Sequence, residues 1–226
     1  MYRNKEKVLC VSEKNIRERA EQFFWGMSGF SKDNPPSSYR LEEIKAVWID
    51  IRKQINVHIL VKKVDNYRLE EVSMWIEAEQ IPYNLPISLY QETVQGIILF
   101  LVTIEDISTD GKRVMEQLYT QIWQNAYLDA AREWIKEWVA EKEGCFVSQS
   151  VAPGFYGIDV EYVKYFVQLL QGEKVGITVT NEGYMIPEKT VVGMYFLLHE
   201  DLNIFGKRCK SCPAQGKNCE FCMDKL

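Results

Sequence analysis

Four of the six cysteines lie in the last 18 residues of the chain, as two Cys-x2-Cys pairs. The pairs are Cys209 with Cys212 and Cys219 with Cys222, and six residues separate them. This spacing lets four thiolates converge on one metal ion or cluster. Lysine and arginine side chains around the pairs favour the thiolate, the form that binds metal. The sequence therefore predicts a compact four-cysteine metal site in the C-terminal tail.

The ligand set fits two kinds of centre, because structural zinc and iron–sulfur clusters both take four thiolates. Zinc ribbons usually place about 15 to 20 residues between their cysteine pairs. A six-residue spacing leaves no room for a hairpin, so we favour an iron–sulfur cluster and keep zinc as the alternative. A free or disulfide-paired tail would bind neither. Cys10 and Cys145 stand alone in the sequence and are expected to be ordinary small buried side chains.

The length, composition and net charge of the chain limit the classes of protein to which it can belong. The chain has 226 residues, 46% of them hydrophobic and 12% aromatic, which is enough to fill a sizeable core. A net charge of −5 lacks the basic footprint of a nucleic-acid binder, so no nucleic-acid partner is expected. The longest apolar run, residues 97–102, is far too short for a membrane span, and no signal peptide is recognisable. We therefore expect a cytoplasmic protein with no membrane partner.

Hydrophobic periodicity predicts a mixed α/β fold. Helices are expected over residues 12–24, 41–51, 112–142 and 161–171, and strands over 55–61, 95–104, 175–180 and 191–198. Ser12 is the expected N-cap of the first helix, and Gly144 is expected to end the longest one. In the longest helix, large and small apolar residues recur every four positions, at Val114, Leu118, Ile122, Ala126, Ala130, Trp134 and Trp138. We interpret this stripe as core rather than as a cofactor-binding face. His58, inside an apolar strand, is interpreted as a core residue with its hydrogen bonds satisfied.

Four short motifs follow the long helix in a fixed order. They are the turn VAPGFYG at 151–157, the strand VGITVT, the segment Met185-Ile-Pro, and the strand TVVGMYF at 190–196 leading to His199. In this order the motifs resemble the activation domain of cobalamin-dependent methionine synthase and the small free-standing proteins related to it. The likeness covers roughly residues 95–205, and the long helix also stands where that family has one.

The resemblance implies a bent, mainly antiparallel sheet flanked by helices, in an α/β (α+β) domain. It also implies an accessory protein that helps reactivate the corrinoid cofactor of a corrinoid-dependent methyltransferase, with the corrinoid carried by a partner protein. The residues that the resemblance assigns to cofactor or partner binding are Pro153, Gly154, Phe155, Tyr156, Tyr195, Phe196 and His199. The cysteine tail would add a low-potential cluster for electron delivery. His199 has a simpler interpretation as the cap of a strand end.

Two departures from the family pattern bear on S-adenosylmethionine. Ser150 stands where the family has an arginine facing the methionyl carboxylate, and Ile204 replaces one of a pair of aromatic residues. Two alternatives to the corrinoid role therefore stay open. One is a non-catalytic docking module whose tail holds zinc. The other is an S-adenosylmethionine-binding domain that takes its carboxylate contact from Lys174, Lys189 or Arg132.

The chain is expected to divide into residues 1–90, an N-terminal region of the same domain, residues 91–205, the activation-domain-like core, and residues 206–226, the cysteine-rich tail. No catalytic residue is assigned, because the carboxylates of the sequence show no pairing that would form an acid–base dyad. Whether the protein is itself an enzyme is left open.

Overall fold

A computed structural model describes residues 7–31, 33–84 and 86–202 of the chain. The α-helices are α1 (Glu13–Met27), α2 (Ser38–Ile51), α3 (Val114–Glu143) and α4 (Tyr162–Leu169). The strands are β1 (Lys7–Val11), β2 (Val57–Lys63), β3 (Tyr67–Leu69), β4 (Ser73–Ile76), β5 (Glu79–Pro82), β6 (Val94–Ile104), β7 (Phe146–Val147), β8 (Thr178–Val179), β9 (Met185–Ile186) and β10 (Thr190–Leu198). Two 3-10 helices cover Pro86–Thr93 and Gly172–Val175.

A five-stranded antiparallel sheet with the order β1-β2-β6-β10-β7 forms the centre of the described structure. The central strand β6 is buried along almost its whole length, since both faces of the sheet are covered. Such a strand reads as a continuous apolar run rather than an alternating one. Continuous apolar runs predicted both β6 and β10, each to within one residue of its bounds.

Helices α1, α2 and α3 cover one face of the sheet, and this first core includes Phe24 of α1 and Ile44 of α2. Helix α4 and the small sheet β3-β4-β5 cover the other face and build the second core, with Phe166 and Met74 as members. The two cores share the strands of the large sheet, whose side chains alternate between them. The fold is thus mixed α+β with a mainly antiparallel sheet.

Local signals fixed the helix ends. The Ser12 hydroxyl caps α1 by accepting a hydrogen bond from the amide of Lys14 at 3.2 Å, as predicted. The Ser37 hydroxyl accepts from the amide of Arg40 at 3.3 Å, so α2 begins three residues earlier than expected. Helix α3 ends at Gly144, whose φ of 65° suits a glycine at a helix C-terminus, also as predicted.

The predicted stripe of α3 was right from Ile122 onward and wrong at its first two residues. Val114 and Leu118, the first two residues of the expected stripe, are 78% and 47% exposed. An α-helix has 3.6 residues per turn, so a step of four residues advances by about 40° and drifts off the buried face. Ala126 and Ala130 of the stripe lie in the first core, and Ile122, Trp134 and Trp138 pack against it half-buried. The buried face also holds residues outside the stripe, namely Tyr119, Trp123, Tyr127, Ala131, Ile135 and Val139.

Three other predictions needed correction. Residues 175–180 form only the two-residue strand β8, because a 3-10 helix extends to Val175 and Gly176 has a positive φ angle of 76°. The small sheet β3-β4-β5 was missed, since its strands have three or four residues each and carry no long apolar run. Cys10 is exposed rather than buried, because it lies on the edge strand β1, and Cys145 is only half-buried.

Among the residues that the structure describes, no helix combines the length and the apolar composition required to cross a membrane.

Candidate functional site

The Pro-Gly turn is attached to the sheet next to β10. Val151 and Met194 exchange two backbone hydrogen bonds, of 2.9 and 2.7 Å, which extends the sheet by one bridge beyond β7. A Cβ on the neighbouring Gly193 would lie 2.7 Å from the carbonyl oxygen of Val151. Glycine at that position therefore permits the close approach of the two backbones.

The turn itself is a closed loop with several left-handed residues. The amide of Gly154 donates to the carbonyl of Ile158 at 2.8 Å, and Gly154, Tyr156 and Gly157 have φ angles of 89°, 54° and 79°. A Cβ placed on Gly154 would have no neighbour within 4 Å, so the backbone at this point borders open space. This geometry allows another molecule to approach the main chain of the turn.

On its inner side the turn contacts the loop that follows β5. The amide of Asn84 donates to the carbonyl of Tyr156 at 2.6 Å. A Cβ on Gly157 would lie 3.1 Å from the same amide nitrogen, which leaves little room for any other residue. The conformation of the turn is therefore supported by the loop that follows β5.

Four large apolar side chains are exposed on the turn and on the β8-β9 hairpin. We call them the exposed apolar surface: Phe155, Val160, Tyr184 and Ile186. The two loops meet, because the Cγ2 atom of Val160 lies 3.7 Å from the position of a Cβ on Gly183 at the hairpin tip. The side chain of Phe155 in the turn is 66% exposed, and that of Tyr184 at the hairpin tip is 71% exposed. Aromatic side chains are more often buried than this.

Hydrogen bonds at the hairpin tip hold Tyr184 in this exposed position. The carbonyl of Tyr184 accepts from the amide of Thr180 at 2.9 Å, and its own amide donates to the Thr180 hydroxyl at 3.3 Å. The peptide between Ile186 and Pro187 is cis. The hairpin is thus a defined structure in the described chain.

Carboxylates surround the exposed apolar surface. They are Asp159 and Glu161 on either side of Val160, Glu182 at the hairpin tip and Glu188 after Ile186, and all are exposed. Hydrogen bonds from its own backbone amide and from Thr180 lower the pKa of Glu182, so this group is ionised at neutral pH. The Lys189 ammonium contacts Glu188 at 3.5 Å. With four carboxylates and this one adjacent lysine, the rim is acidic.

Tyr195 and Phe196, which the motif comparison assigned to binding, are 1% and 0% exposed. They point to opposite faces of β10 and belong to the first and second cores, respectively. The Tyr195 hydroxyl donates to the carbonyl of Arg132 at 2.8 Å, and its ring stacks on Phe100 with 4.6 Å between centroids. Burial raises the pKa of Tyr195 well above its ordinary value. Neither side chain reaches a surface where a partner could touch it.

His199 is exposed directly after β10, and its backbone amide donates to the carbonyl of Thr93 at 3.0 Å. It lies five positions after Met194, where the turn is attached, which corresponds to about 17 Å along an extended strand. The structure therefore places His199 and the Pro-Gly turn at different points of the sheet edge.

The cysteines of the predicted metal site, Cys209, Cys212, Cys219 and Cys222, lie outside the described residues, as does Ile204. The four-cysteine metal site stays a prediction. In the described ranges themselves, no group of three or more His, Cys, Asp and Glu side chains is arranged to hold a metal ion.

Ser150 is half-buried at the start of the turn. Of the residues considered as replacements for the missing arginine, Arg132 is paired with Asp129 at 2.9 Å. The Nε atom of Arg132 is buried and has no hydrogen-bond partner in the described structure. Burial also raises the pKa of Asp129, whereas the arginine opposes that rise.

A polar cleft of about 460 Å³ lies at the end of the sheet where β10 finishes. Its walls include Gln95 and Gly96 of β6 and the ion pair between Lys63 and Glu143. Nothing in the sequence indicated this cleft, because its residues come from four separate elements, β2, β3, β6 and α3.

Comparison with solved structures addresses the fold. The described structure is similar to the crystal structure of the MetH reactivation domain bound to AdoHcy, with a TM-score of 0.64 over 89% of this chain and 80% of that chain. The fold is that of the MetH reactivation domain.

Sequence identity to the reactivation domain is 14%, so the likeness establishes the architecture and leaves the site residues to be argued from this chain. No protein-family model matches the sequence, and no curated protein does either. The reactivation-domain fold extends over the N-terminal residues, which the motif resemblance did not reach. The motif order had therefore identified the correct fold from less than half of the chain.

Proposed function

We propose that this protein is an accessory protein that takes part in reactivating the corrinoid cofactor of a partner methyltransferase. The observation that carries the proposal is the similarity to the MetH reactivation domain over 89% of the chain. The corrinoid stays on the partner, and this chain supplies a docking surface and assists the return of the oxidised cofactor to its active state.

The exposed apolar surface beside the Pro-Gly turn supports a docking role. Phe155 and Tyr184 are exposed aromatic side chains, the type of residue that anchors protein interfaces. The acidic rim around them favours a partner that presents an apolar pocket edged by lysine or arginine, since complementary charge speeds and orients association. We propose the corrinoid-carrying protein as that partner.

A docking assay tests the proposal. A purified corrinoid protein in its cob(II)alamin state is mixed with the full chain, and binding is measured by calorimetry. Recovery of the active cofactor is then followed by absorption in the presence of a low-potential reductant and a methyl donor. We expect Phe155→Ser combined with Tyr184→Ser to weaken binding at least about 10-fold, in the range of a hot-spot loss.

Phe146→Ser is the matched control, because Phe146 is also an exposed phenylalanine, at 48%, but lies on β7 away from the hairpin. It should bind as the wild type does. Lack of any binding or reactivation by the wild-type chain with several corrinoid proteins would refute the proposed function.

The tail cysteines are assigned an electron-transfer role within this proposal. Iron–sulfur clusters reach the low potentials that cobalt reduction requires, whereas zinc has no redox chemistry. Metal and acid-labile sulfide analysis of protein purified without oxygen separates the two. Iron with matching sulfide supports electron delivery, and one zinc per chain with no colour supports a docking module instead.

A second candidate is binding of an S-adenosyl ligand, favoured by one observation: the similar MetH domain is bound to AdoHcy. Thermal-shift titration with S-adenosylmethionine tests it, because a ligand that binds the native state raises its melting temperature. A rise at millimolar ligand that is lost in Gly154→Val would support binding at the turn. No rise at that concentration would eliminate this candidate.

A further inference from the structure

A thiol, an imidazole and a carboxylate lie in line across one edge of the large sheet. Cys10 of β1 is directly opposite His58 of β2 in the strand register. The Sγ atom of Cys10 is 3.7 Å from Nδ1 of His58, within hydrogen-bond range for sulfur. On the other side of the ring, Nε2 of His58 is 3.7 Å from Oε1 of Glu105, which follows β6.

These three groups are open to the solvent. Cys10 and Glu105 are exposed and His58 is half-buried, so the earlier interpretation of Cys10 as a buried residue was wrong and that of His58 as a core residue only partly right. Val8 shares the face of Cys10 two residues away and is also exposed. A small molecule can therefore approach the sulfur without any rearrangement of the sheet.

The imidazole is oriented to accept the thiol proton. A carboxylate beside Nε2 favours the tautomer in which Nε2 carries hydrogen and faces Glu105. In that tautomer Nδ1 carries the lone pair, 3.7 Å from the sulfur. Nucleophile, base and orienting group follow one another at contact distance, the order that activates a nucleophile.

We propose that Cys10 is a reactive thiol that undergoes disulfide exchange with small disulfides, with His58 as its proton acceptor and Glu105 as the group that orients His58. The Sγ proton moves to Nδ1 of His58, and the thiolate attacks one sulfur of the disulfide. A new S–S bond to Cys10 forms while the old one breaks. The leaving thiolate takes the proton back from His58, which gives one mixed disulfide on Cys10 and one free thiol.

This modification site is separate from the proposed function. It lies on the β1 edge of the sheet, whereas the Pro-Gly turn lies beside β10 near the opposite edge. The test needs neither a corrinoid partner nor bound metal, so its failure would leave the proposed function untouched.

The experiment uses the full chain with oxidised glutathione and peptide-resolved mass spectrometry. Cys10 is read in the tryptic peptide of residues 8–14, VLCVSEK, and the same synthetic peptide gives the rate of an unassisted thiol. We expect Cys10 in the folded chain to form the mixed disulfide at least about 10-fold faster than in the free peptide, a threshold set below the roughly 100-fold at which general-base assistance typically begins.

Variants separate the roles. His58→Gln should bring the Cys10 rate down to that of the peptide, and Glu105→Gln should lower it by a smaller factor. Glu21→Gln, which removes an exposed carboxylate on α1, is the control and should leave the rate unchanged. Cys145 reports on each sample as an internal reference, since burial raises the pKa of its thiol.

Two outcomes would overturn the proposal. One is a folded-chain rate for Cys10 no higher than that of the free peptide, which is decisive without any variant. The other is an unchanged rate in His58→Gln, provided that its circular dichroism spectrum matches the wild type.

Discussion

Hydroxyl groups at the start of β10 show how single residues fix the hairpin to the sheet. The Thr190 hydroxyl donates to the carbonyl of Pro187 at 2.7 Å, and carbonyl oxygens only accept. The buried hydroxyl of Thr103, 2.8 Å from that of Thr190, must therefore donate to it. The hydrogen bonds therefore run in one direction, from Thr103 of β6 to Thr190 of β10 and from Thr190 to the carbonyl of Pro187, which follows the β8-β9 hairpin.

This direction predicts unequal effects of two conservative substitutions. Thr190→Val strands the buried O–H of Thr103 and should lower the free energy of unfolding by about 1 to 3 kcal/mol. Thr103→Val leaves only an acceptor position of Thr190 unfilled and should cost distinctly less. Urea denaturation of both variants measures the difference. Equal costs would show that the hydrogen bonds do not run in this direction.

The two glycines of the turn should also respond differently to alanine. Gly154→Ala forces a side chain into a left-handed conformation with open space around it, which costs about 1 to 2 kcal/mol. Gly157→Ala adds a contact of 3.1 Å with the amide of Asn84 and should cost more. Thermal unfolding compares them, and a larger loss in Gly154→Ala would contradict this geometry.

At the scale of elements, the strands show what sequence patterns can and cannot reveal. Continuous apolar runs predicted β6 and β10, and capping signals predicted the start of α1 and the end of α3. The family resemblance assigned Tyr195 and Phe196 of β10 to binding, whereas both side chains are buried in the cores. A strand covered on both faces has no alternation from which its exposed side could be deduced.

Features that depend on register or on distant contacts left no signal in the sequence. The Cys10 and His58 pair exists because β1 and β2 align with those two residues opposite each other. The exposed apolar surface requires the turn and the β8-β9 hairpin to meet. The turn and the hairpin each carried a motif, but nothing in the sequence indicated that the two lie side by side.

The corrected stripe of α3 gives a direct test on two leucines of the same helix. Leu118 belongs to the predicted stripe but is 47% exposed, whereas Leu128 lies in the first core. Leu128→Ala should lower the free energy of unfolding by about 2 to 5 kcal/mol. Leu118→Ala should stay within about 0.5 kcal/mol of the wild type. Chemical denaturation measures both free energies of unfolding. Similar losses in the two variants would mean that Leu118 is buried, as the every-fourth-residue stripe predicted.

The small sheet β3-β4-β5 contains an acid-sensitive contact. Glu70 accepts hydrogen bonds from the Ser73 hydroxyl at 2.7 Å and the Trp75 ring nitrogen at 3.2 Å. These bonds favour the ionised carboxylate and lower the pKa of Glu70 from 4.5. A lowered folded-state pKa adds stability above pH 4.5, and this stability is lost as the pH falls through the folded-state value.

We therefore expect Glu70→Gln to flatten the acid limb of the stability curve. Melting temperatures between pH 3 and 6 should fall less steeply in this variant than in the wild type. Glu71→Gln, which alters the exposed neighbour, is the control and should keep the wild-type slope. An unchanged slope in Glu70→Gln would mean that the hydrogen bonds do not persist in solution.

At the scale of the whole molecule, one sheet unites the two ends of the described chain. Strand β2 from the N-terminal region pairs with β6 over seven residues, and β6 pairs with β10. Both cores rest on these strands, so neither face of the sheet can lose its cover alone. We expect a single cooperative unfolding transition for the described part of the chain.

The cysteine tail should not be required for that transition. Replacing Cys212 and Cys219 by serine should abolish the bound metal, while the melting transition of the core stays cooperative, because both cores are built on the strands of the large sheet. Metal analysis and calorimetry of the double variant measure both effects. Loss of a cooperative transition would show that the tail holds the domain together.

The position of β6 has a consequence for synthesis on the ribosome. Its sequence VQGIILFLVTI carries no charge, and its partner β10 ends 94 residues later, at Leu198. At a synthesis rate of about 5 to 20 residues per second, the edge of β6 that pairs with β10 stays unpaired for roughly 5 to 19 s. An uncharged strand with an open edge is a template for aggregation. The yield of folded protein should thus depend on translation speed over residues 105–198 and on chaperones that bind nascent chains.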